Sequence, residues 1–129
     1  VNTASWNGGV GHYTDGDRQI VIKVDLNKYK NAIVVLELAQ NYDIRVSTDA
    51  SIETMDPAEL YDFDGWTKVQ DYVDVHGERT TSGSLHHAIA IEANTFVAEA
   101  DYLYIRIGNC GNTEGHGGSC YNFAIYYEE

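Results

Sequence analysis

The sequence predicts an all-β protein, a sandwich or barrel of about eight short strands. Three observations carry this. Apolar and polar residues alternate with period two in several separate stretches, which is the signature of a strand with one face buried. The segments between them are polar and turn-rich. No stretch sustains a helical period beyond one or two turns. With 129 residues, 43% of them hydrophobic, the chain is one domain, 1–129, long enough to bury a core.

In chain order, Thr3 to Trp6 reads as a weak strand. Ile20, Ile22 and Val24 alternate with Gln19, Lys23 and Asp25. Ala32 to Leu38 is apolar on both faces, as in a central strand. Tyr42, Ile44 and Val46 alternate with Asp43, Arg45 and Ser47. Asp56-Pro57 places a capping side chain before a proline at the first helical position, so residues 56–60 read as one or two helical turns within a long connection. Val69–Val75 and Leu85–Ile91 are further strands. Leu103, Ile105 and Ile107 alternate with Tyr102, Tyr104 and Arg106, and Tyr121–Tyr127 closes the set.

Charge excludes some partners. Twenty acidic residues against eight basic ones give a formal net charge of −12. Such a surface repels nucleic acid and anionic membranes. The longest apolar run, Ala32–Leu36, falls far short of the roughly 20 residues of a transmembrane helix. With no initiating methionine and no charged-then-apolar leader, the chain reads as a processed protein or an excised module. Ten tyrosines with a single methionine are a composition met in extracellular binding domains, because tyrosine joins a flat apolar face to a polar tip.

Specific residues carry a family resemblance. Asn41-Tyr42-Asp43-Ile44-Arg45-Val46-Ser47-Thr48-Asp49, followed by Gly65-Trp66-Thr67-Lys68-Val69, is similar to a Y-x-V-x-V-S-x-D-G-x-x-W-x-x-V pattern. Leu103-Tyr104-Ile105-Arg106-Ile107-Gly108-Asn109, then Gly115-His116-Gly117-Gly118, resembles L-Y-V-R-I-G-D followed by G-W-G-G. The entry Asp15-Gly16-Asp17-Arg18-Gln19-Ile20-Val21 is similar as well. These patterns resemble galactose-binding-domain-like jelly rolls, the β-sandwich modules appended to secreted glycoside hydrolases. The resemblance spans about residues 12 to 127. It implies a two-sheet antiparallel jelly roll, a secreted location, carbohydrate binding without catalysis, and a catalytic domain in the same polypeptide. The connection from Asp49 to Gly65 is longer than the pattern expects, and His116 stands where the pattern has tryptophan.

The only two cysteines, Cys110 and Cys120, bracket a glycine-rich stretch. They fit a stapled turn or part of a metal site, and His116 alone makes a poor third ligand. In the oxidising setting that the resemblance implies, a disulfide is expected, worth about 3 kcal/mol by loop entropy. If the two cysteines end one strand and begin the next, antiparallel pairing would bring them within bonding range.

If successive strands alternate in direction, the connections 7–18, 39–42, 74–84 and 108–120 share one end of the sandwich. That end gathers His12, Tyr13, Asn41, His76, Arg79, Asn112 and His116 as candidate carbohydrate-binding residues. Planar donors and acceptors pair with sugar hydroxyls while an aromatic ring takes the C–H face. The opposite end holds 26–31, 48–65 and 92–101. Tyr102 and Tyr104 form a reserve platform, if their face of the sheet is open. Trp66, at a strand entry, is expected in the core. Asp15 and Asp17 are candidate ligands for a structural Ca²⁺, although Asp-Gly is also an ordinary turn signal. No spacing singles out a nucleophile, a zinc motif or a phosphate loop. The expected function is a non-catalytic module that binds a neutral polysaccharide. The alternative is an extracellular protein-interaction or adhesion domain.

Overall fold

A computed structural model describes residues 11–13, 19–40, 42–73, 86–96, 98–108 and 118–128. Among the described residues there are eight strands: β1 (Gly11–Tyr13), β2 (Gln19–Asp25), β3 (Lys30–Gln40), β4 (Tyr42–Ser47), β5 (Thr67–Val73), β6 (His86–Glu92), β7 (Tyr102–Gly108) and β8 (Gly118–Glu128). They form two four-stranded sheets. Sheet I has the order β1-β8-β3-β6 and sheet II the order β2-β7-β4-β5. Every pairing is antiparallel. This strand order is that of a jelly roll, as the sequence predicts.

The alternation seen in sequence becomes rows across each sheet. In sheet II, Ile107 lies opposite Ile20 on one side and Ile44 on the other, and Ile105 lies between Ile22 and Val46. In sheet I, Val34 lies between Ile91 and Ile125. These rows face each other and build a core whose buried members among the described residues are aliphatic, including Val24, Leu36, Leu38 and Leu103, with Tyr29 and Phe96 packed at its margin. Residues one position away point outwards, because successive side chains on a strand alternate faces.

Two helical segments lie between β4 and β5. A 3₁₀ turn, Ala50–Thr54, starts at Asp49, whose side chain accepts a hydrogen bond from the Ser51 amide. Helix α1 (Pro57–Asp62) starts at Asp56, which accepts from the Glu59 amide at 2.9 Å. The expected proline-led turn is therefore present; the 3₁₀ turn before it was not expected. A second 3₁₀ turn, Ala93–Phe96, follows β6. No helix among the described residues is long and apolar enough to cross a membrane.

Two sequence expectations need correcting, and a third falls outside the described residues. The first of the described strands is Gly11–Tyr13, so His12 and Tyr13 have strand backbone and are not loop residues. A three-residue edge strand carries no alternation to read, and its pairing with Gly118–Cys120 is purely backbone. The expected strand at Thr3–Trp6 lies outside the described residues. Finally, β8 begins at Gly118, so Cys120 sits inside it, opposite Gly11 and Leu38. Strands β7 and β8 belong to different sheets, so strand pairing does not bring Cys110 towards Cys120. Any bridge between them depends on the connection, and Cys110 lies outside the described residues.

Candidate functional site

The register decides where the connections meet. In sheet I, Tyr13 and Gln40 both lie opposite Gly118, and His86 lies opposite Ala39. In sheet II, Gln19 and Asp43 both lie opposite Gly108, and Tyr42 lies opposite Val73. Gln40 and Tyr42 are separated by one residue, so the two rows of strand ends lie at the same end. The four connections between these strand ends, 14–18, 41, 74–85 and 109–117, therefore start and finish together, as parity predicts. Asn41, His76, Arg79, Asn112, His116, Asp15 and Asp17 lie outside the described residues, as do the side chains of His12 and Tyr13. Among the described residues, no group of three or more His, Cys, Asp or Glu is placed to hold a metal ion.

The reserve platform is a covered face. The segment from Ala50 to Trp66 folds back over the outside of sheet II. Ile52, Leu60 and Trp66 pack there on Val21 and Tyr104, with Met55 and Phe63 at the margin. Tyr104 is 1% exposed and Arg106 is fully buried, so neither offers a stacking surface. Trp66 is buried as expected. Its indole Nε1 donates to the Leu60 carbonyl at 3.0 Å, its ring meets Phe63 edge-on, and the Arg106 guanidinium lies 5.7 Å from the ring centre. Gly65 lets Phe63 close over it, since a β-carbon there would collide with the Phe63 ring.

Tyr102 stays at the surface. Lys23 Nζ sits 4.1 Å from the centre of its ring and 2.8 Å from Glu53 Oε1. The hydrogen bond to Lys23 holds the Glu53 carboxyl below the usual glutamate range, and the same bond raises Lys23. Burial, and then the Glu53 charge, push the Tyr104 hydroxyl up. At neutral pH the cluster is thus a fixed ion pair over a neutral phenol. It edges a cleft of about 360 Å³ that also takes in Thr48 and Asp101.

A second cleft, of about 340 Å³, opens beside the turn between β2 and β3. Asn27, Asn31 and Asn94 line it together with Tyr29, Lys30 and Leu26. Sequence reasoning assigned these positions to the opposite end and missed them as a site. The visible signal was three asparagines in the two connections 26–31 and 92–101. Their convergence depends on Ala93–Phe96 lying against β3, which no local pattern shows.

No protein-family model matches the chain, and no curated protein matches it either.

Proposed function

We propose that the protein is a secreted, non-catalytic carbohydrate-binding module that carries an attached glycoside hydrolase to a neutral polysaccharide. The observation behind this reading is the convergence of four connections at one end of a jelly roll. In sequence those connections hold His76, His116, Asn41, Asn109, Asn112 and several glycines, and Tyr13 and Tyr42 stand at the strand ends beside them. Rigid paired strands hold their ends, so a site made there is positioned by the sandwich while its chemistry is set by the loops. The acidic surface suits a neutral ligand better than an anionic one.

Affinity electrophoresis against a panel of soluble polysaccharides, run with and without EDTA, tests this. Retardation on at least one neutral polysaccharide is expected. Sensitivity to EDTA would support a Ca²⁺ at Asp15 and Asp17. His116→Ala is expected to weaken binding by about 1–3 kcal/mol, the scale of an unpaired hydrogen-bonding group, and to leave the melting temperature nearly unchanged. Retardation on no polysaccharide would overturn the reading.

A second reading, a protein-interaction or adhesion domain, draws on the outer face of sheet I. There Ile33 and Tyr126 lie opposite each other, and both are exposed, Tyr126 at 63%. Val35, Ala124, Ala88 and Ala90 continue the face. Genomic context separates the readings. A glycosidase domain encoded in the same polypeptide favours the first, and a run of similar sandwiches favours the second.

A further inference from the structure

We infer that the asparagine cleft at the β2–β3 end is a second glycan-binding site, able to take an internal stretch of a neutral chain. This rests on the carbohydrate reading above but places binding at the end opposite the converging connections.

Three primary amides converge on one cavity, and two of them are held in place. Asn27 Nδ2 donates to Asp101 Oδ1 at 2.9 Å. Asn31 Nδ2 donates to Glu128 Oε2 at 2.8 Å. Each amide has two N–H donors and a carbonyl acceptor, so each still has one N–H and one oxygen to offer after its fixing bond. That is the donor–acceptor pair that a hydroxyl-bearing sugar ring can use. Asn94 sits exposed on the second 3₁₀ turn, where Ala93 is anchored in the core.

The backbone is fixed as well. The Asp25 carboxylate accepts from the amides of both Asn27 and Lys28, each at 3.0 Å, and Leu26 N donates to the Asp101 carbonyl. Asn31 has φ of 51°, the only non-glycine residue with positive φ among the described residues. Glycine fits that conformation at least cost, yet it would bring no amide. Asparagine is among the side chains that tolerate the left-handed region best. Tyr29, with Lys28 Nζ 5.2 Å from its ring centre, is the aromatic residue of the lining. It is half-buried and held edge-on by Tyr127, with centroids 4.9 Å apart. Little conformational entropy remains to be lost on binding, which is what makes such a site effective.

The ligand class follows from size and charge. A volume of about 340 Å³ lies at the small end of ligand sites, which run from about 300 to 1,000 Å³. Lys30 is the one charged residue of the lining, and the nearby carboxylates of Asp101 and Glu128 are engaged by Asn27 and Asn31, which suits a neutral polyol. Asn27 lines this cleft and its partner Asp101 lines the cleft beside Tyr102. One hydrogen bond therefore stands between two clefts. A chain of several sugar units can lie across both, and a single unit can fill only one.

The test uses the whole chain, isotopically labelled, titrated with neutral mono- to tetrasaccharides of glucose, xylose, mannose and galactose. The readout is the side-chain amide resonances of Asn27, Asn31 and Asn94. At least one series is expected to shift all three, with affinity rising with length. Asn94→Ala, an exposed change, is expected to weaken that binding about tenfold, the equivalent of one hydrogen bond. Shifts confined to Gln19, Gln40, Tyr42 and Gly108, at the other end, would overturn this inference and leave the proposed function standing. Shifts at the three amides, together with unchanged binding by His116→Ala, would uphold the inference and move the site away from the converging connections. Absence of any shift would sink both.

Discussion

The two sides of sheet II show two ways of burying a β-sheet face. Among the described residues, the buried side chains between its inner face and sheet I are isoleucine, valine, leucine and alanine, with Tyr29 and Phe96 at the margin. Its outer face is covered by a single connection, and the interface mixes a tryptophan, a tyrosine and three aliphatic residues with the guanidinium of Arg106 beneath the indole. The inner core is made by strand pairing over the whole molecule. The outer cluster is made by one segment held through two capped helical turns and one indole hydrogen bond. Paired sheets can bury aliphatic surface without local instruction, whereas a folded-back connection needs specific anchors to offset the entropy of ordering it.

This contrast can be tested at both ends of its range. The largest effect is expected from Leu36→Ala. Leu36 is fully buried between the sheets, and truncation there should cost about 2–5 kcal/mol, read as a drop in the urea midpoint common to all probes. Trp66→Phe is expected to cost less, about 1–3 kcal/mol. It keeps an aromatic ring on Phe63 and Arg106 but leaves the buried Leu60 carbonyl without its indole donor. Native-state hydrogen exchange should then show faster opening of Leu60 and Met55 while Val34 and Ile105 stay protected. Equal loss of protection in both regions would mean that the outer cluster is no separate unit.

The smallest effect concerns pH. Glu53 is held below its ordinary value by Lys23, so its contribution is present above the ordinary glutamate range and is lost as pH falls through the lowered value. Lys23 is raised, so its contribution is present below the ordinary lysine range and is lost as pH rises through the raised value. Tyr104, raised by burial, loses its contribution in the same alkaline direction. Glu53→Gln should flatten the acid limb of stability against pH and weaken the alkaline limb, with little change at neutral pH, since an exposed pair contributes little. An unchanged acid limb would show that the ion pair does not fasten the outer segment.

The inner core was legible in the sequence because period two is a local property. Ile20, Ile22, Val24, Leu103, Ile105 and Ile107 could be assigned to a buried face without knowing what they face. The helical turn at Asp56-Pro57 was legible for the same reason, since its cap and its proline are neighbours. The burial of Tyr104 and Arg106 was not legible. They look like any polar outer face until the distant connection 50–66 is laid over them. The asparagine cleft was hidden by the same distance. Asn27 and Asn94 are brought together by a register that only the assembled sheets define. The converging end could be read from parity, because alternation of strand direction needs no side-chain detail.

Strand β8 is the last of the eight described strands, yet it lies inside sheet I, between β1 and β3. During synthesis β3 must therefore keep one edge vacant until residues 118–128 have been made, and β1 has no partner in its sheet before then. The core face of β3, with Val34, Leu36 and Leu38, is hydrophobic and ready for pairing long before its partner exists. Contacts distant in sequence dominate this topology, so folding is expected in the slow millisecond-to-second class of β-sandwiches. A vacant, apolar strand edge is also what neighbouring chains pair with, so the hazardous interval for this protein is the time between the emergence of β3 and the arrival of β8.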